Sequence, residues 1–434
     1  MKLNKEFITK VSKLKNEPKW MLEFRLKSFE KFLELDNPNF GPHIDIDFDN
    51  INYYKKELDL TDDWNKVDDN LRTTFKNLGV IDAENNYLCG VSNQVESEVF
   101  YHKLKDNNGV IFLSTDEALK EYPEMFKEYF NSLVKYDENK YTALNGCLWS
   151  GGSFIYIPKG VKLDRPLQSY FRLNEKGAGQ FEHTLIIVDE GAELQFIEGC
   201  SAPGYNELNL HAGCVELFVK KNAYLRFSTI ENWSKNMLNL NTKKCYVEEN
   251  GKIEWIMGSF GSKVSMLYPL SVLNGKNAKC EFTNISFAGH GQNLDTGLKI
   301  IHNAENTSSI VNSKSISKDG GICTFRSNVH VRKNATNSSV SLSCESLMMD
   351  SISRSDTIPA NTIETDDVSY AHEATIGKIS DEAIYYLMTR GMSEEDAKSL
   401  IVRGFAEPIA KAFPVEYAVE MNRLIELELE GTIG

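Results

Sequence analysis

The sequence has no run of about 18 apolar residues, the length that a membrane-spanning helix needs, so no segment is predicted to cross a membrane. The N-terminus, Met1-Lys2-Leu3-Asn4-Lys5-Glu6, also lacks the apolar stretch of a secretory signal, and we therefore expect a cytoplasmic protein. Basic residues number 48 and acidic residues 62 among 434, which gives a net charge of −14 and disfavours binding to nucleic acid. The 41% of hydrophobic residues excludes disorder over most of the chain.

None of the eight cysteines forms a C-x-x-C pair, which excludes a zinc ribbon and a ferredoxin-type run. Disulfide frameworks belong to short secreted domains, and these cysteines are scattered through a long chain, so reduced thiols are expected. Any metal centre would have to draw its ligands from distant positions. The cysteines are Cys89, Cys147, Cys200, Cys214, Cys245, Cys280, Cys323 and Cys344.

The motifs of common enzyme classes are missing. There is no phosphate-binding G-x-x-x-x-G-K-[ST] loop, no G-x-S-x-G elbow and no H-E-x-x-H zinc helix. His372-Glu373 starts like the zinc helix, but Ile376 stands where the second histidine would be needed. We therefore expect a protein that is not an enzyme in the ordinary sense and has no nucleotide site of its own.

The chain is predicted to divide into three regions. Residues 1–145 read as a helical and mixed α/β region, in which Pro18 opens a helix whose apolar face is formed by Leu22, Leu26, Phe29 and Leu33. Residues 146–377 read as a β-rich core, because short β-branched runs alternate there with glycine and asparagine turns. Residues 378–434 read as a helical module.

A weak internal repeat runs through the β-rich core. Pairs of Gly or Asn followed by a small residue recur every 26 to 31 residues: Gly191-Ala192, Asn222-Ala223, Asn250-Gly251, Asn277-Ala278, Asn303-Ala304 and Asn334-Ala335. A near-constant period with β composition predicts stacked coils, since one coil cannot bury its inner face alone. The pattern favours a β-helix, and a β-sandwich with regular turns is the alternative.

The helical module after residue 378 has two open interpretations. Ser380 and Ser393 are predicted N-caps, and Pro414 to Glu430 is predicted to form a third helix with an apolar stripe of Tyr417, Met421, Leu424 and Leu427 or Leu429. The module is acidic, which suits docking to a partner protein. It could equally be a cap that closes the β stack.

One set of residues suggests chemistry. Cys344 precedes His372-Glu373 by 28 residues, and thiolate, imidazole and carboxylate are all ligands for iron. Because 28 residues is close to one repeat, a β-helix would place the two positions on neighbouring coils. Taken alone, Cys344 is as easily a small buried residue, and His372-Glu373 a hydrogen-bonded surface pair.

Several long segments resemble the SufB/SufD family of SUF iron–sulfur cluster assembly scaffolds, in order and over nearly the whole chain. Residues Trp20 to Phe24 and Asn232-Trp233-Ser234 favour the SufB branch over SufD. The segments are Pro18-Lys19-Trp20-Met21-Leu22-Glu23-Phe24-Arg25-Leu26-Lys27, Glu198-Gly199-Cys200-Ser201-Ala202-Pro203, Glu231-Asn232-Trp233-Ser234-Lys235-Asn236, Ser353-Arg354-Ser355-Asp356-Thr357-Ile358-Pro359, His372-Glu373-Ala374-Thr375 and Glu416-Tyr417-Ala418.

The resemblance implies a mainly β fold, a right-handed parallel β-helix core with an N-terminal helical or α+β region and a C-terminal helical module. It implies a scaffold that accepts sulfur and iron and builds a transient cluster, usually [4Fe-4S], for apoproteins. A separate ATPase, SufC, would dock on the C-terminal module, and SufD or a second SufB copy would pair with the β-helix. The sulfur would come from a cysteine desulfurase or a sulfur carrier. The resemblance leaves open whether reduced flavin takes part.

Carried over by position, Cys344 resembles the family's assembly cysteine, and His372 and Glu373 resemble its nearby His-Glu pair. Some relatives have a glutamate before this histidine, where this chain has Ala371. Cys245 lies near the position of a cysteine that sulfur reaches first, although counting back from Trp255 places that position nearer Tyr246. Lysines 243 and 244 would favour its ionised form.

Cys200 matches the family pattern as well, but its apolar neighbours favour a packing role.

Two alternative functions belong to other classes of protein. The chain could be an adaptor for the ATPase with no cluster of its own. A secreted polysaccharide-cleaving β-helix would need clustered carboxylates along a groove, a signal that is missing here.

Overall fold

The computed structural model describes residues 2–56, 58–105, 108–204, 206–413 and 415–430, without the side chains of Val415 and Glu416. Two single-turn 3₁₀ helices, Phe48–Asn50 and Trp64–Lys66, accompany the α-helices. The α-helices are α1 Lys5–Leu14, α2 Lys19–Glu34, α3 Asp69–Asn77, α4 Val80–Asn86, α5 Thr115–Glu121, α6 Pro123–Tyr129, α7 Lys140–Leu148, α8 Asp381–Thr389, α9 Glu394–Ala410 and α10 Val415–Glu430.

The strands fill the middle of the chain and grow longer toward its end. They are β1 Gly90–Val95, β2 Glu98–Leu104, β3 Ile111–Ser114, β4 Ser153–Ile157, β5 Leu167–Arg172, β6 Gly179–Gln180, β7 His183–Val188, β8 Glu193–Ser201, β9 Asn209–His211, β10 Cys214–Val219, β11 Tyr224–Asn232, β12 Met237–Asn239, β13 Thr242–Val247, β14 Lys252–Phe260, β15 Val264–Leu267, β16 Leu270–Leu273, β17 Lys279–Ala288, β18 Asn293–His302, β19 Ser308–Ser317, β20 Ile322–Val331, β21 Ser338–Met348, β22 Arg354–Ile363 and β23 Val368–Lys378.

The strands stack into a parallel β-helix of about eight coils, which confirms the predicted fold class and makes the β-sandwich alternative wrong. The first sheet has the strand order β2-β1-β5-β8-β11-β14-β17-β19-β21-β23, and the other strands form the second sheet. Strands β1 to β3 come from before residue 146, so the sheets extend into the N-terminal region. The predicted domain boundaries stay a prediction.

The cross-section of the β-helix changes along its axis. Each early coil contributes one strand to the first sheet and two short strands to the second, as in β11, β12 and β13. Strand β18 pairs with β15 through its first residues and with β16 through its last, so one long strand replaces two short ones. The later coils therefore have two facing strands each, and β22 and β23 end the stack.

The first sheet separates two apolar cores. Its inner face packs against the second sheet through side chains such as Phe196, Phe227 and Trp255. Its outer face carries Ile230 and Ile256 among others, which pack against the helices at the two ends of the chain. Burial on both faces explains why the strands read as continuous apolar runs rather than alternating ones.

Left-handed turn residues join the coils at one corner. Gly191, Asn222, Asn250 and Asn277 have φ values between 57° and 68°, as the repeat of turn pairs predicts. For the last two pairs the prediction is three residues early, because Asn306 and Asn337 have the positive φ instead of Asn303 and Asn334. Asparagine tolerates this conformation, and its amides bond between coils, for example Asn250 Nδ2 to Asn222 Oδ1 at 2.9 Å.

The N-terminal helix α2 starts after Pro18 as predicted, and its buried face overlaps the predicted one in part. Of the predicted residues, Phe29 is buried, Leu22 and Leu26 are half-buried, and Leu33 is 65% exposed. The charged Arg25 lies on the buried face because Glu17 and the Trp149 carbonyl satisfy its guanidinium at 2.8 Å each. A pattern of apolar residues alone cannot identify such a position.

The C-terminal module contains the three predicted helices. Ser380 and Ser393 cap α8 and α9 by accepting from Ala383 N and Asp396 N. The third helix runs from Val415 to Glu430, and the predicted start at Pro414 lies outside the described residues. Among the helices that the structure describes, none has the length and hydropathy to cross a bilayer.

Candidate functional site

Cys344 lies on the inner face of the first sheet, one coil from the end of the β-helix. In β21 the buried positions alternate, and Cys344 is 3% exposed beside Val340 and Leu342 in the inner core. Its register partner on one side is Ser313 in β19, and on the other side is Ala374 in β23. Only the last coil therefore lies between the thiol and the open end of the stack.

The structure brings His372 to the same face as Cys344 and places Glu373 on the opposite one. His372 pairs with Leu342, an inner residue, whereas Glu373 pairs with the outward Ser343. Adjacent residues of a strand point to opposite faces, so one strand cannot direct both toward Cys344. Cys344 and His372 lie on neighbouring coils, as the spacing predicts, with an offset of two residues along the strand.

The inner face of the last coil holds polar atoms without partners. His372 Nε2 and Thr357 Oγ1 are buried and have no hydrogen-bond partner among the described residues. Thr357 pairs with Phe325 of the inner core, so its strand position faces inward as well. Buried polar groups are normally bonded, so this imidazole nitrogen on the Cys344 side of the strand is free to bind a further group.

The electrostatics of Cys344 keep its thiol protonated in this conformation. Burial raises the pKa of the Cys344 thiol to about 11. A thiolate is the form that binds metal or attacks sulfur, so the thiol has to become more exposed before it reacts. Within the described ranges, no cluster of three or more His, Cys, Asp or Glu side chains is placed to hold a metal ion.

Two rows of inward residues connect the early coils with this end of the first sheet. The register aligns one residue of each strand into a row, here called the Cys344 row: Ser169, Glu198, Thr229, Met257, Asn284, Ser313, Cys344 and Ala374. Two residues further along the strands lies the serine row: Cys200, Glu231, Ser259, Ser286, Ser315, Ser346 and Ile376.

The two rows form a polar lane along the inner face of the first sheet, interrupted by the apolar Met257. Asn284 Nδ2 lies 3.4 Å from Ser313 Oγ, and the hydroxyls of Ser315 and Ser346 are 2.7 Å apart. Their polar members are buried, with exposures of 7% or less. Sequence reasoning missed this lane, although serines recurring at the repeat spacing are a signal that aligned coils would have shown.

The early end of the lane is charged. Lys243 is fully enclosed and forms an ion pair with Glu198 of the Cys344 row, and its Nζ lies 3.3 Å from Thr229 Oγ1. Burial alone would lower the pKa of Lys243, but Glu198, Glu231 and Cys200 raise it above its usual value. The lysine therefore stays charged, and it holds the carboxylate of Glu198 in place.

A second buried chain continues from Glu231. Asn239 Nδ2 donates to Glu231 Oε2 at 2.9 Å, and His211 Nδ1 is 2.9 Å from Asn239 Oδ1. His211 Nε2 lies 2.8 Å from Glu182 Oε1. One oxygen each of Glu182, Glu198 and Glu231 has no partner among the described residues, so the cluster has spare hydrogen-bond capacity.

Cys200 and Cys245 are both buried, but in different parts of the molecule. Cys200 heads the serine row and packs in a small apolar cluster, as its apolar neighbours in the sequence predict. Burial, Glu198 and Glu231 raise the pKa of its thiol well above the usual value, and Lys243 opposes them. Cys245 belongs to the apolar inner core, where burial raises the pKa of its thiol well above the usual value. Its flanking lysines are engaged elsewhere, Lys243 with Glu198 and Lys244 with Glu138, so they do not ionise it in this conformation.

Two surfaces carry exposed apolar side chains. The last strands of the β-helix expose Ile358, Ile363 and Ile376 by 41–47%, at the end where β22 and β23 each pair with a single described strand. Helix α8 exposes Tyr385 by 70% and Tyr386 by 56%, on the predicted docking module.

Comparison with known proteins gives matches over nearly the whole chain. A model of the family described as "SUF system FeS cluster assembly, SufBD core domain" matches residues 171–405, and one described as "SufBD protein N-terminal region" matches residues 7–169. The chain is 50% identical over 437 residues to a protein of Staphylococcus epidermidis named "Iron-sulfur cluster assembly SufBD family protein". Relatives of that name from Staphylococcus saprophyticus and Staphylococcus haemolyticus are each 49% identical over 437 residues. Each alignment covers 100% of this chain and 94% of the relative.

Proposed function

Because the chain belongs to the SufBD family of SUF-system iron–sulfur cluster assembly proteins, we propose that it is a SufB-type scaffold on which a cluster is built. The observation that carries the proposal is the position of Cys344. It lies at the late end of a buried polar lane, one coil from the open end, on the same strand face as an imidazole nitrogen that has no partner among the described residues.

The chemistry begins with sulfur transfer to Cys344. Its thiolate attacks the outer sulfur of a donor persulfide, which forms a Cys344 persulfide and releases the donor as a thiolate. Iron then binds this sulfur and the imidazole of His372, with further ligands from elsewhere. The cluster is the cargo of the scaffold, is of the [4Fe-4S] type, and leaves for apoproteins.

The point at which sulfur enters the chain has two candidates. Cys245 is the cysteine that the sequence favours, but it lies in the apolar core of the second sheet, outside the polar lane. Cys200 lies at the start of the serine row, where Lys243 favours its thiolate, while burial, Glu198 and Glu231 together hold the pKa of the thiol well above its usual value in this conformation. We propose Cys200 ahead of Cys245 for this role.

The proposal requires partner proteins. One chain does not assemble a metal-binding cluster of three ligands among its described residues, so a second β-helix, SufD or another copy of this chain, would complete the site at the open end. The exposed isoleucines of β22 and β23 suit such pairing. Glu373, which faces outward, would contribute across this interface.

A SufC-type ATPase would bind the helical module through the exposed face of α8 and supply the motion that exposes Cys344. Helix α10 packs on the outside of β11 and β14, so a movement of the module reaches the β-helix directly. This arrangement agrees with the missing nucleotide-binding motif. The proposed scaffold would act in the cytoplasm, with a desulfurase or sulfur carrier as the sulfur donor.

The test is an anaerobic co-expression with the ATPase partner. Iron, sulfide and the visible spectrum are measured for the native chain, Cys344→Ala and the matched control Cys280→Ala, whose cysteine is equally buried in the same core. We expect an absorption band at about 400 nm that Cys344→Ala loses and Cys280→Ala retains. A band that persists in Cys344→Ala contradicts the assignment.

The adaptor function, with no cluster of its own, is the second outcome of the same experiment. It is supported if neither the native chain nor the variants carry iron and sulfide, even after co-expression with a SufD-type partner.

The substitutions Cys200→Ala and Cys245→Ala identify the residue that receives sulfur first. Only the variant at that position should lose the persulfide on Cys344.

A further inference from the structure

Tyr370 joins the two strands that end the β-helix. It lies in β23, pairs with Val340 and packs its ring against the inner core. Its hydroxyl donates to Asn361 Oδ1 in β22 at 2.6 Å. Asn361 pairs with Val329, another inner residue, so both partners reach the bond from the inward side of the last coil.

This bond crosses between two sheets that otherwise end freely. Strand β23 pairs with β21, and β22 pairs with β20, and each has one described neighbour. The last coil therefore has backbone hydrogen bonds on one edge only, which makes it the easiest coil to open. The Tyr370 hydroxyl ties its two strands to each other across the open end.

Cys344 lies beneath this coil, within electrostatic range of the phenol. Burial raises the pKa of the Tyr370 phenol, and a negative charge on Cys344 would raise it further. The residue stacked directly on Cys344 is Ala374, which leaves little side chain to cover the thiol. Access from the open end is therefore controlled by how closely β22 and β23 are held together.

We propose that Tyr370 and Asn361 form a clasp that holds the last coil closed over Cys344 and limits the access of reactants to its thiol. The inference rests on the proposed function, in which sulfur and iron have to reach Cys344. Binding of a second β-helix at the same end would compete for these strands and open the clasp. Tyr370 and Asn361 are positioning residues, since neither has to touch the cargo.

The test measures thiol access in the full chain alone, reduced and free of iron. N-ethylmaleimide is added at pH 8, and the modification of Cys344 and Cys280 is followed in time by peptide mass spectrometry. Tyr370→Phe keeps the ring and removes the hydroxyl, and Asn361→Ala removes the acceptor. Each should raise the rate at Cys344 by about tenfold, the effect of losing one net hydrogen bond, and leave Cys280 unchanged.

Two further variants make the test specific. The double variant Tyr370→Phe/Asn361→Ala should react no faster than either single one, because both remove the same bond. Tyr156→Phe removes a tyrosine hydroxyl that donates to Asp189 Oδ2 at the same length of 2.6 Å in the early coils, and it should leave the rate at Cys344 unchanged. Additive effects in the double variant would show that no shared bond exists.

The proposal is overturned if neither single variant accelerates the labelling of Cys344, or if Cys280 accelerates equally, which would report unfolding of the whole core. Failure of the clasp is distinguishable from failure of the proposed function. The labelling rates need no cluster, whereas the function is tested by iron and sulfide on Cys344→Ala.

Discussion

The early coils and the last coil of the β-helix differ in the kind of polar side chain that they bury. Around β8, β11 and β13 the interior holds ionised side chains, and Lys243 and Glu198 are 2% exposed or less. Around β21 to β23 the interior holds a thiol, hydroxyls and an imidazole. Among the described residues, atoms without a hydrogen-bond partner occur in both regions, such as Glu198 Oε2 in the first and His372 Nε2 in the second. Three strands per coil close the first region, and two strands close the second.

The comparison indicates which part of the β-helix can hold a charged side chain and which part can expose a reactive one. A charge inside the closed region survives because rigid neighbours hold its counter-charge in place. The last coil has strands with a single described neighbour each, so its groups can gain ligands when it opens. The charged side chains therefore lie at the early end of the polar lane, and the groups that can gain ligands lie at its late end.

The largest expected effect comes from breaking the charged region. Lys243→Met leaves Glu198 buried without its counter-charge, and we expect a loss of about 3–5 kcal/mol in the free energy of unfolding. Urea titration followed by tryptophan fluorescence measures it. Lys276→Met, which removes an exposed pair with Glu305, is the control and should leave the unfolding midpoint nearly unchanged. If both substitutions lower the free energy of unfolding equally, the buried ion pair does not distinguish the early coils from the rest of the molecule.

A buried carboxylate outside the lane sharpens the comparison. Glu428 of α10 is 2% exposed, and its Oε1 accepts from Gly261 N at 3.3 Å. Burial raises the pKa of Glu428 to about 7, opposed by that bond, by Gln292 and by Lys235 and Lys318 at longer range. Unlike Glu198, it lacks a tight ion pair and is predicted to be partly protonated near neutral pH.

The sign of the pH effect follows from the raised pKa. The folded state favours protonated Glu428. Its contribution to the free energy of unfolding is therefore complete below about pH 4.5, and about 3 kcal/mol of it is lost as the pH rises through 7. Glu428→Gln should remove this part of the pH dependence between pH 5.5 and 8. Glu426→Gln, an exposed neighbour paired with Arg403, serves as the control. An unchanged pH profile in Glu428→Gln contradicts the prediction.

Thiol titration probes the last coil directly. With its pKa at about 11, the rate of Cys344 alkylation should still rise about tenfold per pH unit between pH 8 and 10. The urea-unfolded chain is the control, since its thiols have an ordinary pKa near 9 and should level off by pH 10. A plateau for Cys344 below pH 9 in the folded chain would show that the coil activates rather than protects it.

Much of the fold could be predicted from the sequence, because a repeat of turn residues reports on stacked coils. The prediction failed at Asn303 and Asn334, since the local stretches contain two asparagines each and composition does not tell which one adopts the positive φ. It failed in α2 because burial of Arg25 depends on Glu17 and Trp149, a tertiary arrangement that helical periodicity does not contain.

The candidate site was accessible to prediction in part. The repeat spacing indicated that Cys344 and His372 are on neighbouring coils, and the structure places them so. Strand alternation would already have separated His372 from Glu373, since neighbours face opposite ways. The ion pair of Lys243 with Glu198 joins strands of different sheets, and no pattern within one strand indicates such a contact.

The smallest expected effect tests whether the two regions differ in their turns as well as in their interiors. Asn222 of the early coils and Asn306 of the late coils have the same φ of 58°, and each accepts an amide bond from the next coil. Asn222→Ala and Asn306→Ala should each cost about 1 kcal/mol in urea titration, because alanine resists the left-handed conformation. Asn306→Gly, which tolerates that conformation, is the control and should cost less. Equal costs at the two positions locate the difference between the regions in the interior alone, whereas a larger cost at Asn306 would show that the late coils depend on their turns for stability.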